Sequence, residues 1–131
     1  MSGKMVHIKR MKVFFDHQFV FGFEVDYDVY NDHGFFKHHR EFKEIHYGYM
    51  MPKSHHTKEH SFAHHEHITA VTGRCGNIID NLRIFTEKGC VIDAGGKGGM
   101  EFSLNVPPGR KIYAFSGGFG GHLHNIAAHY Y

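Results

Sequence analysis

The sequence is poor in tryptophan, cysteine and proline, and it has no long apolar run. It contains no tryptophan, two cysteines and three prolines among 131 residues. No segment approaches the ~20 consecutive apolar residues that a membrane-spanning helix needs. The first residues also lack the apolar stretch of a secretory signal. We therefore expect a chain without a transmembrane segment that is cytoplasmic or non-classically secreted.

The two cysteines are predicted to remain free thiols. If residues 79–86 and 90–93 form a hairpin, Cys90 lies near Phe85, whereas Cys75 lies about 30 Å away along the strand. A disulfide needs Cα atoms about 5.5 Å apart. Free thiols are typical of the reducing cytosol.

The net charge and the pattern around Lys97 argue against two classes of binding protein, and the length indicates one domain. The formal net charge of +2 is too small to indicate nucleic-acid binding. A phosphate-binding loop is also excluded, because Lys97 is followed by glycines rather than by Ser or Thr and no helical pattern follows. With 131 residues and 41% hydrophobic content, the chain is predicted to fold as one domain over residues 1–131.

Apolar and polar residues alternate along much of the chain, which predicts an all-β fold. The buried side of residues 18–29 is predicted to hold Phe19, Phe21, Phe23, Val25, Tyr27 and Val29. The mostly solvent-facing side is predicted to hold Gln18, Val20, Gly22, Glu24, Asp26 and Asp28. Shorter strands are predicted at residues 68–72, 79–86, 101–106, 111–115 and 126–131. Turn signals lie between the strands at residues 31–34, 87–89, 107–109 and 116–121.

Two glycine-built loops stand out in the second half. Residues 73–80 lead into one predicted strand, and residues 94–99 end the strand after it. Glycines expose backbone N–H groups, and Asp80 adds a fixed acceptor, a combination that suits a small polyhydroxylated ligand. The alternative is that the glycines serve only the geometry of β-turns.

These loops and the end of the chain resemble the jacalin-related lectins. The resemblance rests on residues 73–82 (GRCGNIIDNL), on residues 95–99 (GGKGG), and on the ending 115–126 (FSGGFGGHLHNI). It is specific from about residue 68 onward and weaker over residues 6–29. The animal zymogen-granule lectins are as similar as the plant members.

The resemblance implies a β-prism of three Greek-key sheets with pseudo-threefold symmetry. It also implies sugar binding without catalysis, metal or cofactor, most closely of the mannose- or glucose-binding type. The expected partners are mono- or oligosaccharides of glycoproteins or glycolipids, and pairing into a homodimer is expected by analogy. No Ser/His/Asp or Cys/His pattern contradicts the expectation that the chain is not an enzyme.

The usual sugar site of the family is degenerate in this sequence. That site joins an N-terminal glycine loop, of which only Ser2-Gly3 corresponds here, to a Gly-x-x-x-Asp loop. The second loop reads Gly120-Gly121-His122-Leu123-His124, so that His124 replaces the aspartate. A neutral imidazole offers one acceptor, and a protonated one offers none.

The pseudo-symmetric equivalent keeps the pattern. We expect Asp80 to accept hydrogen bonds from two sugar hydroxyls, while Asn77 and Ile78, after Gly76, present backbone N–H groups. Gly96 and Lys97 are predicted to close the other side. The alternative is that Asp80 only caps a turn. The third equivalent, at residues 16–20, is assigned no function.

Histidine is abundant, with 15 residues in the chain. Six of them fall between residues 55 and 67: His55, His56, His60, His64, His65 and His67. Imidazole pairs at this spacing can bind metals, but no zinc-site or His-Glu-x-x-His pattern is present, so a solvated loop is favoured.

A second function is suggested by the basic residues that accompany these histidines. A face that becomes cationic in acid would bind sulfated glycans or anionic membrane surfaces in a salt-dependent manner. Its members are predicted to be Lys37, His38, His39, Arg40, Lys43, Lys53, His55, His56 and Lys58.

Overall fold

The computed structural model describes residues 4–33, 36–104 and 106–130, and leaves out the side chains of residues 4–5, 30–33 and 36–42. The described residues form strands β1 (Lys4–Phe15), β2 (Val20–His33), β3 (Phe36–Tyr47), β4 (His56–Ser61), β5 (Ile68–Cys75), β6 (Ile79–Thr86), β7 (Gly89–Gly95), β8 (Met100–Leu104), β9 (Ile112–Phe119) and β10 (Leu123–Tyr130). In this part of the chain no helix is long and apolar enough to cross a membrane.

The strands form three sheets. The first has the order β3-β2-β1-β4, the second β7-β6-β5-β8, and the third β10-β9. All pairings are antiparallel. In the first two sheets the fourth strand returns beside the first, which is the Greek-key order. The predicted all-β prism is confirmed, although the third sheet holds two strands in the described residues.

One hydrophobic core lies between the three sheets. Strands from every sheet contribute side chains without solvent exposure: Met11, Val13, Phe23, Val25, Val71, Leu82, Ile84 and Leu123. Burying each such side chain stabilises the fold by about 1.5–3 kcal/mol. Side chains alternate between the two faces of each strand, so that each strand packs one face into this core. The packed strands fix the positions of the loops at their ends.

The predicted wet side of β2 is largely buried. Glu24 and Asp28 are each 8% exposed, and Val20 is 0% exposed. β2 lies between β3 and β1 in its sheet, so that side chains of the neighbouring strands cover its polar side; Arg10 on β1, for example, contacts the Glu24 and Asp26 carboxylates. Val20 lies at a register shift where Phe14 pairs with Gly22 and Phe15 with Val20, which interrupts the simple alternation.

β3 and β4 were not predicted from the sequence, and the turn before β10 was predicted too early in the chain. β3 and β4 are edge strands rich in charged residues and histidine, which obscures a period of two. The turn predicted at residues 116–121 is mostly strand, because β9 continues to Phe119. There the Gly118 amide donates to Asn125 Oδ1 at 2.9 Å.

Two other turns are confirmed, whereas residues 31–33 of the turn predicted at 31–34 belong to β2 and residue 34 lies outside the described residues. The 87–89 turn contains Gly89 at φ 103°, and the 107–109 turn contains Gly109 at φ 81°. Cys90 pairs with Phe85 across the predicted hairpin, and both cysteines are free.

Candidate functional site

Asp80 lies near the start of β6, directly beside the second glycine loop. β6 pairs with β7 up to Asn81 opposite Gly95, and the Gly96 amide donates to the Asp80 carbonyl at 2.7 Å. Gly95 has φ 110° and approaches so closely that a Cβ there would lie 2.2 Å from the same carbonyl. The two glycine loops predicted from the sequence, residues 73–80 and 94–99, therefore lie side by side in the structure.

Glycines also make room for the Asp80 carboxylate. A Cβ at Gly98 would lie 3.1 Å from Oδ1, and one at Gly99 would lie 2.6 Å from Oδ2. Asp80 is 7% exposed, yet its carboxylate oxygens are not sealed from solvent. Among the described residues none donates a hydrogen bond to this carboxylate. Asp80 is thus a nearly buried acceptor with unused capacity.

Arg74 on β5 holds the loop against Asp80. Its Nε donates to the Gly98 carbonyl at 3.1 Å, and its Nη2 donates to the Gly99 carbonyl at 2.8 Å. Its Nη1 lies 3.4 Å from Glu101. Because Arg74 occupies both carbonyl oxygens, it fixes the path of the chain beside the carboxylate.

The other residues predicted for this site are Gly76, Asn77, Ile78 and Lys97, with Gly96 considered below. The two loops around the Asp80 carboxylate, residues 76–80 and 95–99, are called the Asp80 cradle below. In these loops Asn77 and Lys97 are exposed and Ile78 is half-buried. The Gly76 amide closes a turn onto the Ile78 carbonyl at 3.0 Å. Within the described chain, the Asn77 and Ile78 amides have no backbone acceptor and are free to donate.

Gly96 packs against the loop at residues 16–20. Its amide is already bonded to Asp80, and a Cβ at this position would lie 2.6 Å from the carbonyl oxygen of His17. Gly96 therefore has a structural role beside Asp80, and its contact with a ligand stays a prediction. The third equivalent loop supplies this packing surface, and Asp16 shapes it by accepting from the amides of Gln18 and Phe19, both at 2.8 Å.

The apex that carries the family's usual site is covered by the segment after β3. The Tyr49 amide donates to the Gly120 carbonyl at 3.0 Å, and the Met50 amide donates to the Gly121 carbonyl at 2.8 Å. A Cβ on Gly121 would lie 2.6 Å from the Met50 sulfur.

The three predicted side chains at this apex lie in different surroundings. His122 stacks on Phe21 with ring centroids 5.1 Å apart, Leu123 belongs to the core with 0% exposure, and His124 is exposed. None of them supplies a carboxylate.

Histidines of the 60–67 segment lie close to His7 on β1. The His7 ring lies 5.5 Å from that of His67 and 6.1 Å from that of His64. No group of side chains in the described residues is arranged to hold a metal ion. His60 belongs to β4, and its Nε2 lies 3.1 Å from Glu66 Oε1.

This cluster predicts lower stability in mild acid. Burial lowers the pKa of both His7 and His67, and Lys111 lowers both further, while Asp28 opposes this at His7 and Glu87 opposes it at His67. Because the unfolded chain then binds protons more readily, stability falls as pH drops below the ordinary histidine pKa of about 6.5.

We expect the melting temperature of wild type to fall between pH 7.5 and pH 5.5. The double variant His7→Gln/His67→Gln should lose less, because glutamine does not titrate. Differential scanning calorimetry at both pH values measures this. His124→Gln, which removes an exposed histidine, is the control, and an equal fall in all three proteins would contradict the prediction.

The predicted basic face is only partly described. The side chains of residues 37–40 lie outside the described part. Lys43 lies 4.0 Å from Asp26, and Lys58 donates to the Asp93 carbonyl at 2.6 Å. These two lysines are therefore engaged within the protein.

Two features were not predicted from the sequence, one beside Asp80 and one that stabilises the fold. Arg74 lies inside the quoted motif, but nothing in the sequence shows that it would hold the carbonyls of residues 98 and 99. Glu66 looks like one residue of a polar loop, yet it is 3% exposed and accepts from the Ala63 amide at 3.0 Å and the Thr86 hydroxyl at 2.8 Å.

The fold matches solved lectin structures. Frutalin from Artocarpus incisa, in complex with galactose, superposes with a TM-score of 0.70 at 18% identity, covering 95% of this chain and 91% of that chain. Calystegia sepium agglutinin gives 0.71 at 16%, covering 100% and 89%. A galactose-specific lectin from Artocarpus hirsuta, in complex with methyl-α-D-galactose, gives 0.70 at 18%, covering 94% and 90%.

Sequence comparison gives two results. None of the curated protein sequences compared with the chain matches it. The profile of the jacalin-like lectin domain, in contrast, matches residues 2–129. Domains of this kind bind carbohydrate and are not enzymes. The chain belongs to the jacalin-like lectin domain family.

Proposed function

We propose that this lectin domain binds a terminal hexose at the Asp80 cradle. The observation that carries the proposal is the Asp80 carboxylate, which is 7% exposed and receives no hydrogen bond from the described residues. Burying a charge without partners costs free energy. A sugar with two neighbouring hydroxyls offsets that cost by donating to both carboxylate oxygens.

The surrounding backbone completes the site. The amides of Asn77 and Ile78 donate to ring or hydroxyl oxygens, while Gly98 and Gly99 leave the carboxylate reachable. Arg74 positions the loop without touching the sugar. Charge-assisted hydrogen bonds of this kind contribute about 1.5–3 kcal/mol each, and no metal is needed.

The identity of the hexose is part of the proposal. Two of the similar structures hold galactose or its methyl glycoside, whereas the sequence resemblance implied mannose or glucose. Galactose and mannose differ in the orientation of the 2- and 4-hydroxyls, and we expect Asp80 to bind the 4- and 6-hydroxyls. Both sugars are therefore needed as probes, and galactose is the first choice.

Titration calorimetry with methyl galactoside and methyl mannoside tests the proposal. We expect Asp80→Ala to weaken binding of the preferred sugar by about 100-fold, which corresponds to about 3 kcal/mol. The melting temperature should stay about the same, because the carboxylate accepts no hydrogen bond from the described residues and its oxygens reach solvent.

Two control variants locate the site. Asp93→Asn removes a carboxylate from the same sheet, where Asp93 accepts from Asn81 Nδ2 at 3.1 Å, and should leave binding unchanged. His124→Ala removes the histidine at the family's usual apex and should also leave it unchanged. Binding that survives in Asp80→Ala but is lost in His124→Ala would place the site at the other apex.

A further inference from the structure

A groove crosses the outer face of the second sheet. It has a volume of about 450 Å³ and is lined by residues of β5, β6 and β8. The strand register explains its shape, because Thr72 pairs with Arg83 on one side and with Ser103 on the other. The short side chains of Thr72 and Ser103 therefore form the floor, and longer side chains stand around them.

Arg74 and Glu101 close one end of this groove, and Phe85 closes the other. Arg74 and Glu101 are paired across β5 and β8, and Arg74 Nη1 lies 3.4 Å from Glu101 Oε1. Phe85 is half-buried, yet it is not among the described apolar side chains that pack against the core. Its ring borders the groove instead. An aromatic side chain beside a few placed polar groups is typical of small-molecule sites.

The polar groups of the groove have unused hydrogen-bonding capacity. Arg83 Nε lies 3.5 Å from Asp93 Oδ1, and among the described residues no other acceptor contacts its guanidinium. In the same part of the chain the Thr72 hydroxyl has no hydrogen-bond partner. The Glu101 side chain is 80% exposed, so that its carboxylate can still accept. The groove thus offers both donors and acceptors.

The charges around the groove balance. Arg74 lies beside the Glu101 carboxylate, and Arg83 lies beside the Asp93 carboxylate. The groove therefore favours a neutral ligand with hydroxyls and with an apolar face for Phe85, and a sugar unit has both. An apolar peptide would bury the Arg83 guanidinium without new partners, which costs free energy.

The groove begins where the Asp80 cradle ends. A Cβ on Gly99 would lie 2.6 Å from Asp80 Oδ2, while the Gly99 carbonyl accepts from Arg74 Nη2 at 2.8 Å. Gly98 lies between the same two side chains. Neither glycine has a side chain, so the ridge between cradle and groove is one backbone high. Arg83 follows Asp80 by three residues on β6, about 10 Å along the strand.

We propose that the groove binds the inner units of an oligosaccharide whose terminal hexose occupies the Asp80 cradle. This inference rests on the proposed function of the cradle. The sugar chain crosses the glycine ridge, and its hydroxyls accept from Arg83 and Thr72 and donate to Glu101. The apolar face of a further unit lies on Phe85. The preferred ligand is therefore an oligosaccharide rather than a single sugar.

Titration calorimetry of the full chain tests the proposal. The probes are methyl galactoside, methyl mannoside, and linear 1,3- and 1,4-linked trisaccharides of galactose and of mannose. We expect one trisaccharide to bind at least about tenfold more tightly than the methyl glycoside of its hexose. Trisaccharides that bind no more tightly than the methyl glycosides would overturn the proposal. Loss of methyl glycoside binding in Asp80→Ala would still support the cradle.

Variants locate the additional affinity. Arg83→Ala and Ser103→Tyr should reduce trisaccharide affinity to that of the methyl glycoside. Their affinity for the methyl glycoside should not change, which also shows that they fold. The controls are Arg110→Ala, at an exposed arginine outside the groove, and Thr57→Tyr, at an exposed position of β4. An equal gain from the trisaccharide in Ser103→Tyr and Thr57→Tyr would refute the groove. Trisaccharide binding that is kept in Asp80→Ala and lost in Arg83→Ala would overturn the cradle and, with it, a ligand shared between the two.

Discussion

Replacing Glu66 by alanine is expected to lower the free energy of unfolding by about 4 kcal/mol at pH 7. Glu66 is 3% exposed and accepts from the Ala63 amide, the Thr86 hydroxyl and His60. Alanine would leave the buried Thr86 hydroxyl and the partly buried Ala63 amide and His60 ring without this acceptor, and a buried donor left without an acceptor costs about 1–3 kcal/mol. Thermal unfolding should show a drop in melting temperature of roughly 15 °C.

The pH dependence of Glu66→Gln shows whether the charge matters. Burial alone would raise the pKa of Glu66, but the hydrogen bonds from Ala63, His60 and Thr86 lower it from 4.5 to about 2. A depressed folded-state pKa stabilises the protein above pH 4.5, and this contribution of about 3 kcal/mol is lost as pH falls toward 2.

Urea denaturation across this range measures the effect. The stability gap between wild type and Glu66→Gln should close between pH 4.5 and pH 2, because glutamine cannot titrate. Glu101→Gln is the control, since its side chain is 80% exposed and should change stability by less than about 0.5 kcal/mol. A gap that stays constant with pH would show that Glu66 contributes by shape rather than by charge.

Local patterns made part of this molecule predictable. The hairpin around residues 87–89 is marked by alternating apolar residues and by Gly89, which has φ 103°. The two loops near Asp80 are each marked by glycines within ten residues of sequence. Their meeting followed from the family resemblance, because it depends on β6 lying between β5 and β7.

Long-range contacts explain what the sequence did not reveal. Glu66 is buried by partners such as Thr86, 20 positions away, and Arg74 holds carbonyls 24 and 25 positions away. Neither relation leaves a local pattern. β3 and β4 were missed for another reason, because charged edge strands carry no clear apolar alternation.

The expected effect of Gly99→Ala connects the cradle to the stability of the fold. Gly99 has φ +74°, and a Cβ there would lie 2.6 Å from the Asp80 carboxylate and 2.6 Å from the Cys75 backbone. The left-handed backbone costs an L-residue about 1–2 kcal/mol, and the collision with a neighbouring backbone adds about 1–3 kcal/mol. We expect a total loss of about 3–4 kcal/mol in the free energy of unfolding by urea denaturation.

Gly109→Ala is the matched control for Gly99→Ala. Gly109 has a similar φ of +81°, but nothing lies within 4 Å of an added Cβ, so this variant should lose only the backbone cost of about 1–2 kcal/mol. The difference between the two variants measures how tightly residues 98–99 lie against Asp80. If Asp80 binds the sugar, Gly99→Ala should also weaken hexose binding while Gly109→Ala should not. Equal losses of stability in both variants would mean that the loop yields to the new side chain, and that Asp80 is not held in a rigid cradle.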